Sequence, residues 1–201
     1  YLAGQNPGYP EAMLQAACAQ VQRRLEMIRH DADPTTHRDV HRWQQVNPVT
    51  TEALVQLTLG GPQHLYNGGL LLCRLRYFDT RENRPGLPAD VAALVEKIES
   101  DHTVLRLVNL SPTAERRLVV QAGAFGEHHF TAARYDVLES VYPGQISDYA
   151  EPEALRAGTR ETRINADRVQ VTLPPSTQIT LQLGTARWAN RPSCSGPWPA
   201  G

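Results

Sequence analysis

Four glycines, a proline, a histidine, a tyrosine and an asparagine fall within the stretch Gly60-Gly61-Pro62-Gln63-His64-Leu65-Tyr66-Asn67-Gly68-Gly69. Glycine lets a backbone turn sharply and approach a ligand closely. His64 offers a titratable ring, Tyr66 an aromatic platform with a hydroxyl, and Asn67 an amide that both donates and accepts. Together they suit polyol binding or acid/base work. These three are the candidate ligand-binding residues, and no catalytic residue is assigned. The plainer alternative is a linker in which Asn67-Gly68 makes a turn and Tyr66 packs at a boundary.

Two other clusters invite a chemical reading. On a helix, His37 and His41 share a face at i and i+4, a geometry used by zinc ligands. Asp39 would point elsewhere, and no third ligand is evident, so a solvated polar helix is the better account. Glu127-His128-His129 follows Gly123-Ala124-Phe125-Gly126. Adjacent histidines on a strand face opposite ways and would not chelate one ion. The expectation there is a polar hairpin with Phe125 anchored in the core. Arg74, Arg76, Arg81 and Arg84 could bind an anion or solvate a sheet edge. No phosphate cradle, nucleophile elbow or dinucleotide fingerprint occurs, and neither a metal nor a cofactor is expected.

The bulk properties narrow the classes further. A net charge of -1 gives no long-range pull toward nucleic acid or anionic membrane. No apolar run reaches membrane-spanning length. Cys18, Cys73 and Cys194 match no metal or redox spacing, and their odd number favours a reducing, cytoplasmic compartment. Cys18 and Cys73 lie in apolar patterns and are expected as small core residues. The chain opens on Tyr1 without a leader, which reads as a piece of something longer.

The elements that must position these residues change character along the chain. Pro10 and Glu11 suit the first turn of a helix carrying Leu14, Ala17, Cys18, Val21, Leu25 and Ile28 on one face. Thr36 to Val46 permits a short helix. Asn47 and Pro48 suggest the cap and first position of another, stopped by Gly60-Gly61-Pro62. These helices are too few to bury their own faces and call for a partner.

Beyond Gly68-Gly69 the apolar period falls from 3.6 to 2. Strands are expected at Leu71–Tyr77, Ala89–Ile98, Thr103–Leu110, Arg117–Gln121, Phe130–Tyr135, Arg168–Leu173 and Gln178–Leu183. The polar stretch Ser140–Arg163 reads as a long loop with a short helix near Glu151–Arg156. The fold class is therefore α+β by segment: two to three helices followed by a mainly antiparallel β-sandwich. The expected divisions are a helical segment over 1–67, a sandwich over 68–187 and an irregular tail over 188–201.

Helices that end in a Gly-Gly-Pro…Tyr-Asn-Gly-Gly loop and lead into a sandwich resemble the C-terminal part of (α/α)-toroid enzymes, the glycoside hydrolases and polysaccharide lyases. The Val169–Gly184 run, with Leu173-Pro174-Pro175-Ser176 between alternating strands, is similar to the last hairpin of such accessory domains. The resemblance implies an upstream helical domain as partner, a carbohydrate as ligand, and a parent protein that is a hydrolase or lyase. A looser likeness is to toroidal linalool dehydratase/isomerase-like proteins. A non-catalytic binding or protein-interaction module is the other reading. No catalytic residue of any of these families maps onto a position here.

Overall fold

The computed structural model describes residues 1–32, 39–61, 69–141 and 154–198, and within them it is an α+β arrangement of helices followed by a β-sandwich. Helix α1 (Tyr9–Arg29) has a proline in its first turn, Glu11 at the positive end of its dipole and Arg29 at the negative end. Helix α2 (Val40–Val46) starts on Asp39, whose carboxylate accepts the His41 and Arg42 amides. Helix α3 (Glu52–Leu59) stops at Gly60, which takes the left-handed conformation at φ 65°.

The third helix starts later than its sequence suggests. Asn47 closes α2 instead of opening α3, and its side chain accepts the Val49 amide at 3.0 Å. Glu52 then caps the real start, accepting the Thr51 amide at 3.1 Å and the Thr50 hydroxyl at 2.7 Å. A local side-chain acceptor outcompetes the proline signal.

The strand predicted from Leu71 is also displaced. Gly69–Leu72 forms a 3-10 turn, and strand β1 runs from Leu75 to Asp79. The cause is the partner available to the backbone. Cys73 N–H bonds to Leu70 O and Arg74 N–H to the end of α3 at Leu59 O, 2.8 Å away. Pairing with a strand begins only at Leu75, opposite Ala122.

The other strands are β2 (Arg84–Pro85), β3 (Val91–Ile98), β4 (His102–Asn109), β5 (Arg116–Ala122), β6 (His129–Val141), β7 (Ala154–Ala166), β8 (Arg168–Leu173) and β9 (Gln178–Ala186). Among the described residues they form a four-stranded sheet, β2-β1-β5-β8, and a five-stranded one, β3-β4-β9-β6-β7, with every pairing antiparallel. Alternation places Leu105 and Leu107 of β4, Leu118 and Val120 of β5, and Leu181 and Leu183 of β9 between the sheets. Phe130 completes that core.

Two expectations about the second half are corrected. Within Ser140–Arg163 the described residues, 140–141 and 154–163, are strand and not loop: β6 and β7 are each 13 residues long and pair from Phe130↔Ala166 out to Val141↔Ala154. β9 accompanies β6 only as far as Tyr135, so the remainder is a two-stranded ribbon extending past the sheet. Its exposed positions accept Arg, Glu and Thr, which hid the strand period. The Glu151–Arg156 helix is replaced by strand at Ala154–Arg156; 151–153 lie outside the described residues. Nor do β8 and β9 make a hairpin. Pro174-Pro175-Ser176-Thr177 carries the chain from one sheet to the other, and β9 enters between β4 and β6.

Helix α3 packs on β3 and β1, and Tyr77 donates its hydroxyl to Thr58 O at 2.5 Å. At the other end of the chain, the tail folds back along the outer face of the smaller sheet. Trp198 meets Phe78 edge-on with centroids 5.7 Å apart, and Arg168 donates to Ser195 O and Gly196 O. This second layer explains why Val119 and Gln121 on β5 are buried although they face away from the main core.

Candidate functional site

His64, Tyr66 and Asn67 lie outside the described residues, as does His37. The described residues on either side of the first three are Gly61 and Gly69. Gly61 is buried, and a Cβ there would sit 2.8 Å from Cys73 Sγ, so the chain leaves α3 pressed against that thiol. The remaining histidine of the first cluster, His41, is exposed 3.7 Å from the capping carboxylate of Asp39. Among the described residues no group of three or more His, Cys, Asp or Glu converges on a metal position.

The arginines do not converge either. Arg76 lies over the Phe78 ring at 5.0 Å and donates to Ala124 O. Arg84 donates to Pro85 O and Leu87 O and lies 3.6 Å from Asp79, while Arg81 lies 3.9 Å from Glu82. A neighbouring hollow of about 620 Å³ contains Arg116 and Arg117 as well, but Asp90 and Glu115 pair with them. The charge is neutralised locally, which leaves little field for an anion.

The densest chemistry sits where a polar hairpin was expected. Glu127 and His128 are both 0% exposed. They belong to the turn joining β5 to β6, which Gly123 at φ 86° and Gly126 at φ 66° allow to close tightly. The turn is held from several sides. Gly123 N–H donates to Arg74 O at 2.7 Å, and Gln121 Nε2 donates to Gly123 O and Ala124 O. Gln121 is in turn fixed by Arg168 Nε at 3.0 Å. Phe125, expected as the core anchor, is only half-buried, and the polar residues after it go inward instead.

Within this turn Glu127 Oε2 accepts the Phe125 amide at 2.8 Å, while His128 Nδ1 accepts the Trp188 amide at 3.2 Å. The other two atoms, Glu127 Oε1 and His128 Nε2, lie 4.0 Å apart and have no hydrogen-bond partner among the described residues. Burial pushes the imidazole below its ordinary pKa, against the pull of Glu127 and with help from Arg74 and Arg187. Burial also lifts the Cys73 thiol to about 11, and the Glu127 charge adds to that shift while Arg74 opposes it. A thiol held protonated in this way is a poor nucleophile. The cluster can therefore hold a proton, but it presents no open face to a substrate.

The other cysteines are exposed, Cys194 in the tail and Cys18 on α1. The expectation of a core Cys18 fails because the face of α1 that carries it is uncovered. The sequence points to Glu127 and His128 but places them on a polar hairpin at the rim, because the segments that bury them, Cys73-Arg74 and Arg187-Trp188, are remote in the chain. The one local signal was the paired glycines at 123 and 126, which force a tight turn flanked by the apolar Ala122 and Phe130.

A family described as a domain of unknown function (DUF8034) matches residues 1–55, a span that takes in α1, α2 and the start of α3. No curated protein and no solved structure matches the chain.

Proposed function

We propose that this chain is the C-terminal accessory region of a larger, carbohydrate-active enzyme, in which α1–α3 pack on a preceding helical domain and the sandwich braces them. The observation that carries the reading is α1 itself. It has 21 residues and none is buried, while Leu14, Leu25, Met27 and Ile28 are exposed. Trp43 and Val49 are exposed as well, at 64% and 68%, and Ile28 and Trp43 line one open hollow of about 440 Å³ together with Asp31, Val46, Asn47 and Pro48. Exposed apolar side chains in this number cost free energy in water until something covers them. Further helices of the same protein are the natural cover. The family match lies on the helical segment and stops inside α3, which supports treating these helices as part of a separate unit. The carbohydrate class rests on the resemblance to toroid enzymes, with the Gly60–Gly69 loop at the junction contributing to the cleft.

One observation favours the second reading, a binding module. α3 covers the flank of the sandwich near β1 and β3, but among the described residues the opposite flank is open. There Thr162 faces inward opposite Ala133 and is still exposed, beside a cavity of about 320 Å³ lined by Tyr135, Ile164, Val169, Val171 and Ile179. Among the described residues β8 pairs only with β5, so its other edge borders this cleft. The two readings separate on the polypeptide as its source makes it. Mass and N-terminal sequencing will find a further stretch of chain ahead of Tyr1, with apolar residues at helical spacing, if the accessory reading holds. A product that starts at Tyr1 and binds an apolar dye in its native state, with Val169→Arg abolishing the binding, would establish the module instead.

A further inference from the structure

We propose that Glu127 and His128 form a proton-operated latch that holds the C-terminal tail on the sandwich and lets it go as the solution turns acid. The latch is built from two segments far apart in sequence. His128 Nδ1 accepts the Trp188 amide, and the Trp188 ring packs edge-on against the imidazole with centroids 5.0 Å apart. The backbone of the same turn then takes up the tail step by step. Asn190 Nδ2 donates to Gly126 O at 3.1 Å and to His128 O at 2.8 Å, Asn190 N–H donates to Glu127 O, and Ser193 N–H donates to Phe125 O at 2.8 Å. Trp198 ends the path on Phe78.

A nitrogen that accepts a hydrogen bond carries no proton, so docking selects the neutral ring with its hydrogen on Nε2. Adding a second proton converts Nδ1 into a donor that confronts the Trp188 N–H. The tail's first contact then becomes repulsive inside a buried site, where such a clash is costly.

The charges facing the ring come from three elements. Glu127 is on its own turn, Arg74 precedes β1, and Arg187 follows β9, with the neutral Cys73 thiol beside Arg74. Glu127 favours the imidazolium, whereas the two guanidinium groups and burial oppose it. Because the docked ring has the lower pKa, the free-tail state takes up the proton first. Docking free energy is therefore complete above the pKa that the ring has when the tail is free, and falls away as the pH drops below it. Release uncovers the outer face of the smaller sheet, with Phe78, Val119 and Gln121.

The test follows tryptophan emission of the full chain carrying Trp43→Phe, so that only Trp188 and Trp198 report. Between pH 8 and pH 5 the emission should shift to the red with a midpoint below the ordinary imidazole pKa, while far-ultraviolet circular dichroism stays unchanged. His128→Gln, which can still accept through its amide oxygen, should remove the transition. Asn190→Ala weakens docking without touching the titrating ring and should move the midpoint upward. The proposal is overturned by any of three results: no shift in the parent chain, the same shift in His128→Gln, or a shift that coincides with loss of secondary structure. An unmoved midpoint in Asn190→Ala would overturn it too, which keeps the test decisive should His128→Gln fail to fold.

Discussion

Gly123→Ala is expected to lower the unfolding free energy by roughly 2 to 5 kcal/mol, combining a left-handed backbone penalty with overpacking. A Cβ at this position would stand 2.4 to 2.6 Å from all three atoms of the Glu127 carboxyl group. The backbone there is at φ 86°, where an L side chain is strained even in open space. Neither partner can retreat. The Gly123 amide is tied to Arg74 O, and Glu127 is buried with its Oε2 on the Phe125 amide. The prediction has an internal control. In a Glu127→Ala background the contact is gone and only the backbone term remains, so the added cost of Gly123→Ala should fall to about 1 to 2 kcal/mol. Urea unfolding of the four proteins measures this. Equal costs in both backgrounds would mean that the turn does not hold Glu127 as described.

Asn109→Ala is the second large effect, expected at roughly 3 kcal/mol because several buried backbone groups lose their partner at once. Asn109 closes β4 and is 1% exposed. Its Nδ2 donates to Ala114 O, Leu173 O and Pro174 O, and its Oδ1 accepts the Ser111 amide at 3.0 Å. One amide thus ties the β4–β5 connection to the point where the chain leaves β8 and crosses to the other sheet. Asn109→Asp should be at least as damaging, since it replaces the donor with a carboxylate that meets three carbonyl oxygens. Thermal unfolding of both variants checks this. A loss under 1 kcal/mol in either would show that the crossover is held by other contacts.

These two residues also mark what could be learned from the chain alone. The strands with strict alternation were legible: the buried positions of β4, β8 and β9 recur every second residue. Ala89–Ile98 permitted a helix by composition, but Val91 and Val95 go into the core from a strand. The β6–β7 ribbon was illegible because both its faces carry polar residues, so nothing in Arg160-Glu161-Thr162-Arg163 distinguishes strand from loop. Asn109 looked like the end of a strand, and its role depends on carbonyls more than sixty residues away. Glu127 and His128 failed for a similar reason. Local pattern assigns a charged pair after glycine to the surface, and only the docking of Arg187-Trp188 from the far end of the chain buries them.

Under the proposed function, α1 is half of an interface whose other half is formed by helices of the same protein. Amide hydrogen exchange tests it most directly, comparing this 201-residue chain with the polypeptide isolated from its source. β4 and β9 should exchange equally slowly in both, because the sandwich core is the same. The face of α1 with Leu14, Leu25 and Ile28 should exchange quickly in the short chain and be strongly protected in the natural product. Equal exchange of α1 in the two samples would contradict it.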